Sequence, residues 1–405
     1  MSVPRVLFVN HASKLSGAEL VLIDTVRAFR SPGVFLFEDG PLRPALAAAG
    51  AIPVVPAGSS AFAGIKRDRS LLRALPHAGG IARMLGRLAR VMRQYDVVYA
   101  NSQKAFVLAA LACTVPALVT GRRKLVWHLH DILAPGHFGQ AQVAIAVRLA
   151  NAACACVIVP SAAAAASFIA AGGRPALVRV VPNGLDAPAV QTTASRAGFD
   201  LDTPFIFGVF SRLSPWKGQR VVLEALARLP NVGCVIAGGA LFGEEDYARS
   251  LVALAAELGV TDRVRFLGHR ADVPALMRAV DAVVHPSTEP EPFGRTLVEA
   301  MLARRPVVAA AAGAVAEIIT EGTGCLVPPG DAAALAAALR QVQARQGSGA
   351  QQAQLDRAEA RARTCYGAEQ MRRSIRAIVA DVGDRSSMTA ARGPGPVTGL
   401  PAGPP

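Results

Sequence analysis

The run His285-Pro-Ser-Thr-Glu-Pro-Glu-Pro-Phe-Gly-Arg-Thr-Leu-Val-Glu-Ala-Met301 sets two carboxylates, Glu291 and Glu299, eight positions apart. Before it, Asp281-Ala-Val-Val-His285 is a short apolar run of the kind a buried parallel strand requires. After the turn, Thr296 to Ala303 has helical composition, and the turn itself is built on Pro290, Pro292 and Gly294. A strand, a tight turn and a helix in that order leave backbone N–H groups unpaired at the helix N-terminus, where a diphosphate binds. A carboxylate further into the helix can accept hydrogen bonds from sugar or ribose hydroxyls. The competing reading is local: an acid near a helix start complements the macrodipole and needs no ligand.

Working outward, strand and helix patterns alternate in both directions, which predicts doubly wound parallel sheets of the α/β class. In the first half the expected strands are Arg5–Asn10, Val34–Glu38, Ile52–Val55, Val97–Ala100, Leu125–His130, Cys156–Val159 and Val178–Val181, with a helix opening at Gly17-Ala-Glu19. In the second half they are Pro204–Phe210, Val232–Ala237, Val264–Leu267, Asp281–His285, Val307–Ala309 and Cys325–Val327, followed by helical Ala332–Arg345 and Gln354–Val382. A chain of 405 residues exceeds one hydrophobic core and implies two domains. Apolar content of 52% with 18% charged residues excludes a disordered chain. The uncharged stretch Leu149–Gly173 is mostly Ala, contains Asn151, Pro160 and Ser161, and reads as strand, turn and helix rather than a membrane span.

Several short motifs carry candidate chemistry. Ser211-Arg-Leu-Ser-Pro-Trp-Lys-Gly218 fixes two cations, Arg212 and Lys217, at the carboxyl end of a strand, where doubly wound sheets bind ligands. Cations fixed there can stabilise negative charge that develops on a bound group. Ser16-Gly-Ala-Glu19 follows the first strand, and Gly17 lets the backbone approach a phosphate or an acceptor. In Trp127-His-Leu-His-Asp131, alternation puts His128 and His130 on one face, with His130 nearer the strand's carboxyl end. His128 is expected to pack or bond internally. No Asp-x-Asp metal motif lies near a plausible donor site.

These motifs resemble retaining glycosyltransferases of family 4, which have the GT-B fold of two Rossmann-like domains facing each other across a cleft. The pair Glu291 and Glu299 is similar to the family's Glu-x7-Glu signature, and Arg212-Leu-Ser-Pro-Trp-Lys-Gly218 to its Arg-Leu-x-x-x-Lys-Gly. The resemblance implies that Glu291 and His130 lie beside the donor sugar, that Arg212 and Lys217 hold the diphosphate, and that Glu299 holds the ribose. It further implies donor contacts from Gly17, Gly268, His269, Phe293, Gly294, Arg295 and Thr296; Phe266-Leu-Gly-His269 resembles a loop whose backbone meets the nucleobase. Two matches are partial. Ser16 replaces the first glycine of Gly-Gly-Ala-Glu, and Ala312 the first of a Gly-Gly-x-x-Glu pattern, so Glu317 reads as structural. The implied layout is an acceptor domain over 1–186, a linker over 187–203, a nucleotide-sugar domain over 204–365, a helix over 366–383 crossing back to the first domain, and a disordered tail over 384–405. The implied reaction is metal-independent transfer of a sugar from a nucleotide diphosphate to an acceptor hydroxyl of a glycan or lipid-linked glycan, with no cofactor. The alternatives are a nucleotide-sugar epimerase of the same fold, which needs no second substrate, and a non-catalytic nucleotide-binding scaffold.

Charge is uneven. Residues 1–190 carry a net +12 and the remainder +2, within a total of +14. Lys66–Arg93 holds eight Lys/Arg against one acid, Asp68. There Ile81, Met84, Leu85, Leu88, Val91 and Met92 share one helical face, expected to pack on the sheet, while Arg83, Arg87 and Arg90 lie opposite. That Arg face is the candidate membrane or acceptor surface. Nucleic acid is disfavoured because the patch lacks aromatic residues for stacking. Six cysteines without a CxxC pair read as free thiols in a reducing compartment, hence a cytoplasmic protein, which the Arg face would hold on the inner face of the cell membrane.

Overall fold

The computed structural model describes residues 4–55, 78–114, 124–134, 138–186, 195–240 and 243–384. The expected tail beyond Asp384 and the basic stretch 66–77 therefore lie outside the described residues, as does the Ile81 side chain. The chain divides into two compact units, one of residues 1–159, 165–180 and 374–405, the other of 160–164 and 181–373.

The first unit runs β1 (Val6–Asn10), α1 (Gly17–Val26), β2 (Gly33–Leu36), α2 (Leu42–Ala48), β3 (Ile52–Val54), α3 (Ala78–Met92), β4 (Val97–Ala100), α4 (Gln103–Thr114), β5 (Lys124–His128), α5 (Gln140–Ala153), β6 (Cys154–Val159), α6 (Ala162–Ala170) and β7 (Val178–Val180). Its sheet has the order β3-β2-β1-β4-β5-β6-β7 and every pairing is parallel. A parallel sheet is covered on both faces, so its strands must be apolar throughout, as Val6-Leu-Phe-Val and Val97-Val-Tyr-Ala100 are. Aromatic side chains fill the layers: Trp127 stacks on Phe106 with ring centroids 4.4 Å apart, and Phe8 meets Tyr99 at 4.8 Å.

The second unit repeats the plan with β8 (Phe205–Phe210), α7 (Gln219–Leu226), β9 (Val232–Ala237), α8 (Glu245–Glu257), β10 (Val264–Gly268), α9 (Val273–Ala279), β11 (Ala282–His285), α10 (Arg295–Leu302), β12 (Val307–Ala310), α11 (Val315–Ile318), β13 (Cys325–Val327), α12 (Ala332–Ala344), α13 (Gly349–Cys365) and α14 (Ala368–Asp384). Its all-parallel sheet has the order β10-β9-β8-β11-β12-β13. One face is covered by Val222, Leu226, Leu251, Leu335 and Leu339 of α7, α8 and α12. The other is covered by Leu276, Leu297, Met301, Ala358 and Ala362 of α9, α10 and α13. Each fully buried Leu or Phe contributes about 1.5–3 kcal/mol, so the two layers hold the sheet from both sides.

Three expected boundaries move. Val181–Asp186 is counted with the second unit, because the Leu185 N–H donates to the Tyr366 carbonyl at 2.8 Å and its carbonyl accepts from Ala368 at 3.3 Å. The same bridge lies at Tyr366-Gly367, where helical Gln354–Val382 divides into α13 and α14, close to the start expected for the last helix at residue 366. From Ser374 onward the chain is counted with the first unit. Residues 195–203, expected to be linker, are packed: Phe199 is buried in the second core, and Arg196 pairs with Asp281. Residues 187–194 lie outside the described ones.

Asp281 is the anchor of that packed segment. One oxygen accepts from Arg196 and, at 2.7 Å, from the buried N–H of Ile206; the other accepts from Gln346 at 3.0 Å. Asp281→Ala strands the Ile206 N–H, and the expected loss of stability is about 1–3 kcal/mol. Urea unfolding of the variant against the parent checks this.

Candidate active site

In the second sheet the chain leaves β8 toward β9 and β10 on one side and returns from β11 toward β12 and β13 on the other. β8 and β11 are therefore the topological switch point, where diverging connections open a crevice beyond the strands' carboxyl ends. Both conspicuous motifs of the sequence emerge there.

From β8 comes Ser211–Gly218, with one tight helical turn at Pro215–Lys217. Gly218 has φ +72°, and a Cβ would sit 2.0 Å from the Pro286 carbonyl oxygen, so only glycine lets this loop lie against the one after β11. The Thr288 N–H donates to the Trp216 carbonyl at 2.8 Å and knits the two loops. Lys217 Nζ stands 3.9 Å and Arg212 Cζ 5.4 Å from the Trp216 ring centroid, so one indole carries both cations.

From β11 comes Glu291, 3% exposed. Its Oε1 accepts from Lys217 Nζ and from Ser287 Oγ at 2.6 Å, and lies 3.2 Å from His285 Nε2. Burial alone would raise the Glu291 carboxyl, but the Lys217 charge and the His285 hydrogen bond outweigh it and hold the group well below the usual carboxylate range. Burial lowers the Lys217 ammonium, against the pull of Glu291. The backbone of Glu291 is fixed as firmly as its side chain. Its N–H donates to Ala312 at 3.2 Å, its carbonyl accepts from Ala314 at 2.9 Å, and Gly313, at φ +66°, leaves room where a Cβ would lie 2.4 Å from the Glu291 oxygen.

The start of α10 completes this group. Gly294, at φ +95°, turns the chain into the helix. Thr296 Oγ1 donates to the Phe210 carbonyl at 3.1 Å and ties α10 to the end of β8. Phe293 is 3% exposed and packs on Tyr366 in the core, so only its backbone can meet a donor. Glu299 lies half-buried, 3.8 Å from Arg295 Nε. Burial pushes its carboxyl up, opposed by Arg295. Gly268 (φ +63°) and the exposed His269 end β10, where the Gly268 carbonyl accepts from Gly238 at 2.8 Å. Glu317 accepts from the Ala162 and Ala163 N–H groups at 2.9 and 2.8 Å, a structural cap as the sequence suggested.

In the first unit, Gly17 opens α1, and a Cβ there would meet nothing within 4 Å. His130, two residues past β5, has Nε2 2.9 Å from Asn101 Oδ1. His128 is fully buried, with Nδ1 2.7 Å from the Tyr99 hydroxyl and its ring 3.9 Å from that of His130. Burial and the neighbouring His130 lower its pKa well below the ordinary value, so it is a neutral packing residue. Sequence reading did not single out His285 and Ser287 around Glu291, or Asn10 and Asn101 near His130. The available signal was a polar residue immediately closing an apolar strand, as in Phe-Val-Asn10 and Tyr-Ala-Asn101.

Two family models match the chain: Glycosyltransferase Family 4 over residues 15–187 and Glycosyl transferases group 1 over residues 191–361. The crystal structure of Anabaena Alr3699/HepE in complex with UDP matches with a TM-score of 0.80 and 38% identity, covering 93% of this chain and all of that one. The same protein in complex with UDP-glucose matches at 37% identity and a TM-score of 0.80. A D-inositol 3-phosphate glycosyltransferase of Mycobacterium sp. (strain KMS) is 38% identical over 160 residues, 38% of this chain and 36% of that protein. The chain thus spans about a third of the length of that curated relative. Two doubly wound units with these relatives define a glycosyltransferase of the GT-B fold. The chain belongs to the glycosyl transferases group 1.

The Lys217–Glu291 pair makes a first test of this geometry. Lys217→Met leaves a buried carboxylate without its counter-charge, at an expected cost of about 3–5 kcal/mol. Because the folded-state pKa of Glu291 is depressed, the stability it contributes is present above its unfolded pKa and is lost as pH falls toward the folded one. Urea titrations at pH 7 and pH 4 should show a smaller acid-side loss in the variant than in the parent.

Proposed function

We propose that this glycosyltransferase uses a UDP-sugar of the UDP-glucose type and transfers the sugar with retention to an acceptor hydroxyl of a glycan or lipid-linked glycan. The nucleotide is suggested by the UDP and UDP-glucose complexes of a relative 38% identical over its full length. The observation that carries the chemistry is the placement of Arg212, Lys217 and Glu291 on the two loops of one switch point. In this reading Arg212 and Lys217 bind the diphosphate and take up charge as the bond from C1 to the phosphate oxygen breaks. The acceptor oxygen bonds to C1 on the same face, and its proton passes to the departing phosphate oxygen. Lys217 and Ser287 both donate to Glu291 Oε1, with His285 Nε2 beside it, which weakens that oxygen as a nucleophile and favours a front-face path over a covalent glycosyl-enzyme. His130 contacts the donor sugar and Glu299 the ribose.

Four measurements test the reading. In a panel of UDP-, GDP- and ADP-sugars, UDP-glucose should raise the melting temperature most, since stabilisation grows with affinity. Proton NMR of the transfer product should show the donor's anomeric configuration. Arg212→Ala and Lys217→Ala should each lower kcat by about 10²–10³-fold. An ionised Glu299 accepts from ribose hydroxyls more strongly than a protonated one, in which one oxygen carries a proton. UDP affinity should therefore fall as pH drops through its raised carboxyl pKa, and Glu299→Gln should abolish that dependence, as read by calorimetry.

The acceptor side is proposed to work at an anionic membrane surface. Arg83, Arg87 and Arg90 are exposed along α3, as is Arg93 just past its end, while Met84, Leu88 and Met92 on the other side are buried. Such a face gains on the order of 1 kcal/mol per basic residue near an anionic leaflet. No helix among the described residues is long and apolar enough to cross a membrane, so a surface contact is the form this takes. Co-sedimentation with anionic vesicles should fall with salt and with Arg83, Arg87 and Arg90 changed to Gln. Equal binding to neutral vesicles would reject it.

A further inference from the structure

A buried polar chain crosses the first unit's own switch point, where β1 and β4 lie side by side. Glu19, in the first turn of α1, is 3% exposed. Its Oε2 accepts from Ser16 Oγ, and its Oε1 accepts from Asn10 Nδ2 at 3.4 Å. Asn10 closes β1, Asn101 follows β4, and both are fully buried. Asn101 Nδ2 donates to Asn10 Oδ1 at 3.1 Å, and Asn101 Oδ1 lies 2.9 Å from His130 Nε2.

The direction of the two amides in this chain is determined. Asn10 Nδ2 also lies 2.8 Å from the Ala12 carbonyl, and Asn101 Nδ2 lies 3.2 Å from the Ala18 carbonyl. A carbonyl or carboxylate oxygen only accepts, so those nitrogens are the amide NH2 groups and neither side chain can be flipped. Asn101 therefore presents an oxygen to His130, and Nε2 must carry a proton. We propose that Ser16, Glu19, Asn10 and Asn101 are positioning residues that lock the His130 ring and hold its neutral form as the Nε2–H tautomer, with the lone pair on Nδ1. Ser16, which stands where the resembled pattern has glycine, supplies the hydroxyl that holds Glu19. A plain capping box would explain Ser16 and Glu19 alone. It does not explain a carboxylate turned inward to a second buried amide, which must be hydrogen-bonded to be tolerated there. The consequence for turnover rests on the reading that His130 serves sugar transfer; the tautomer does not.

The test uses the full chain labelled with 15N-histidine, with His130 assigned by the loss of its signals in His130→Gln. Long-range 1H–15N spectra, recorded above the ring's titration, should show a protonated Nε2 and an unprotonated Nδ1. Asn101→Leu should mix the tautomers. Glu19→Met, which does not touch the ring, should shift them in the same direction, while Asn101→Asp, which keeps an acceptor at Nε2, should retain the parent form. With UDP-glucose, Asn101→Leu should lower kcat by roughly ten- to a hundredfold with little change in the donor KM, and Asn101→Asp should recover part of it. A parent protein with its proton on Nδ1, or a tautomer unmoved by both Asn101→Leu and Glu19→Met, would overturn the relay. The expected tautomers without any UDP-glucose turnover would support the relay and reject the donor assignment instead.

Discussion

Parallel strand pairing is the constraint from which the rest follows. When every strand runs the same way and both faces of the sheet are covered, its body must be apolar, and polar groups collect where the chain leaves it. All those exits lie at one edge, and only at the switch point do neighbouring connections diverge. This chain meets the constraint twice. In the first unit the exits of β1 and β4 carry Asn10 and Asn101; in the second the exits of β8 and β11 carry Arg212, Lys217 and Glu291.

Three partly or fully buried carboxylates show how much the surroundings decide. Glu291, beside Lys217, His285 and Ser287, is held ionised; Glu299, beside a single Arg295 Nε at 3.8 Å, is pushed up by burial. Glu19, offered only neutral donors by Ser16 and Asn10, is raised too, again by burial. What separates them is whether a full positive charge accompanies the hydrogen bonds. The pair of acids spaced eight apart in sequence is thus chemically unequal, although the sequence spells the two residues alike.

The strand–turn–helix at β11 and α10 was legible because it is local: apolar run, prolines, glycine and helix all lie between Asp281 and Ala303. The cation motif after β8 was legible for the same reason. Other features depend on contacts that no local pattern encodes. The bond between Asn101 and Asn10 spans 91 positions, and that between Lys217 and Glu291 spans 74. Phe293 sits in a motif full of polar partners yet turns into the core against Tyr366, because the side-chain direction within a turn follows from packing. Residues 195–203 read as polar connector, but Asp281 and the core pocket of Phe199 draw them onto the second unit. The pairing of Gly367, at the break between α13 and α14, with Leu185 spans 182 positions.

The chain contains only two tryptophans, and they divide between the units. Trp127 is fully buried and lies flat on Phe106, so its emission reports the packing of the first unit. Trp216 is partly exposed with two cations over its ring, so its emission wavelength responds to the local electric field. Any anion that draws Lys217 or Arg212 off the indole changes that field directly. The protein therefore carries an intrinsic optical probe of charge at the second switch point, one that Trp127→Phe would leave as the sole indole signal.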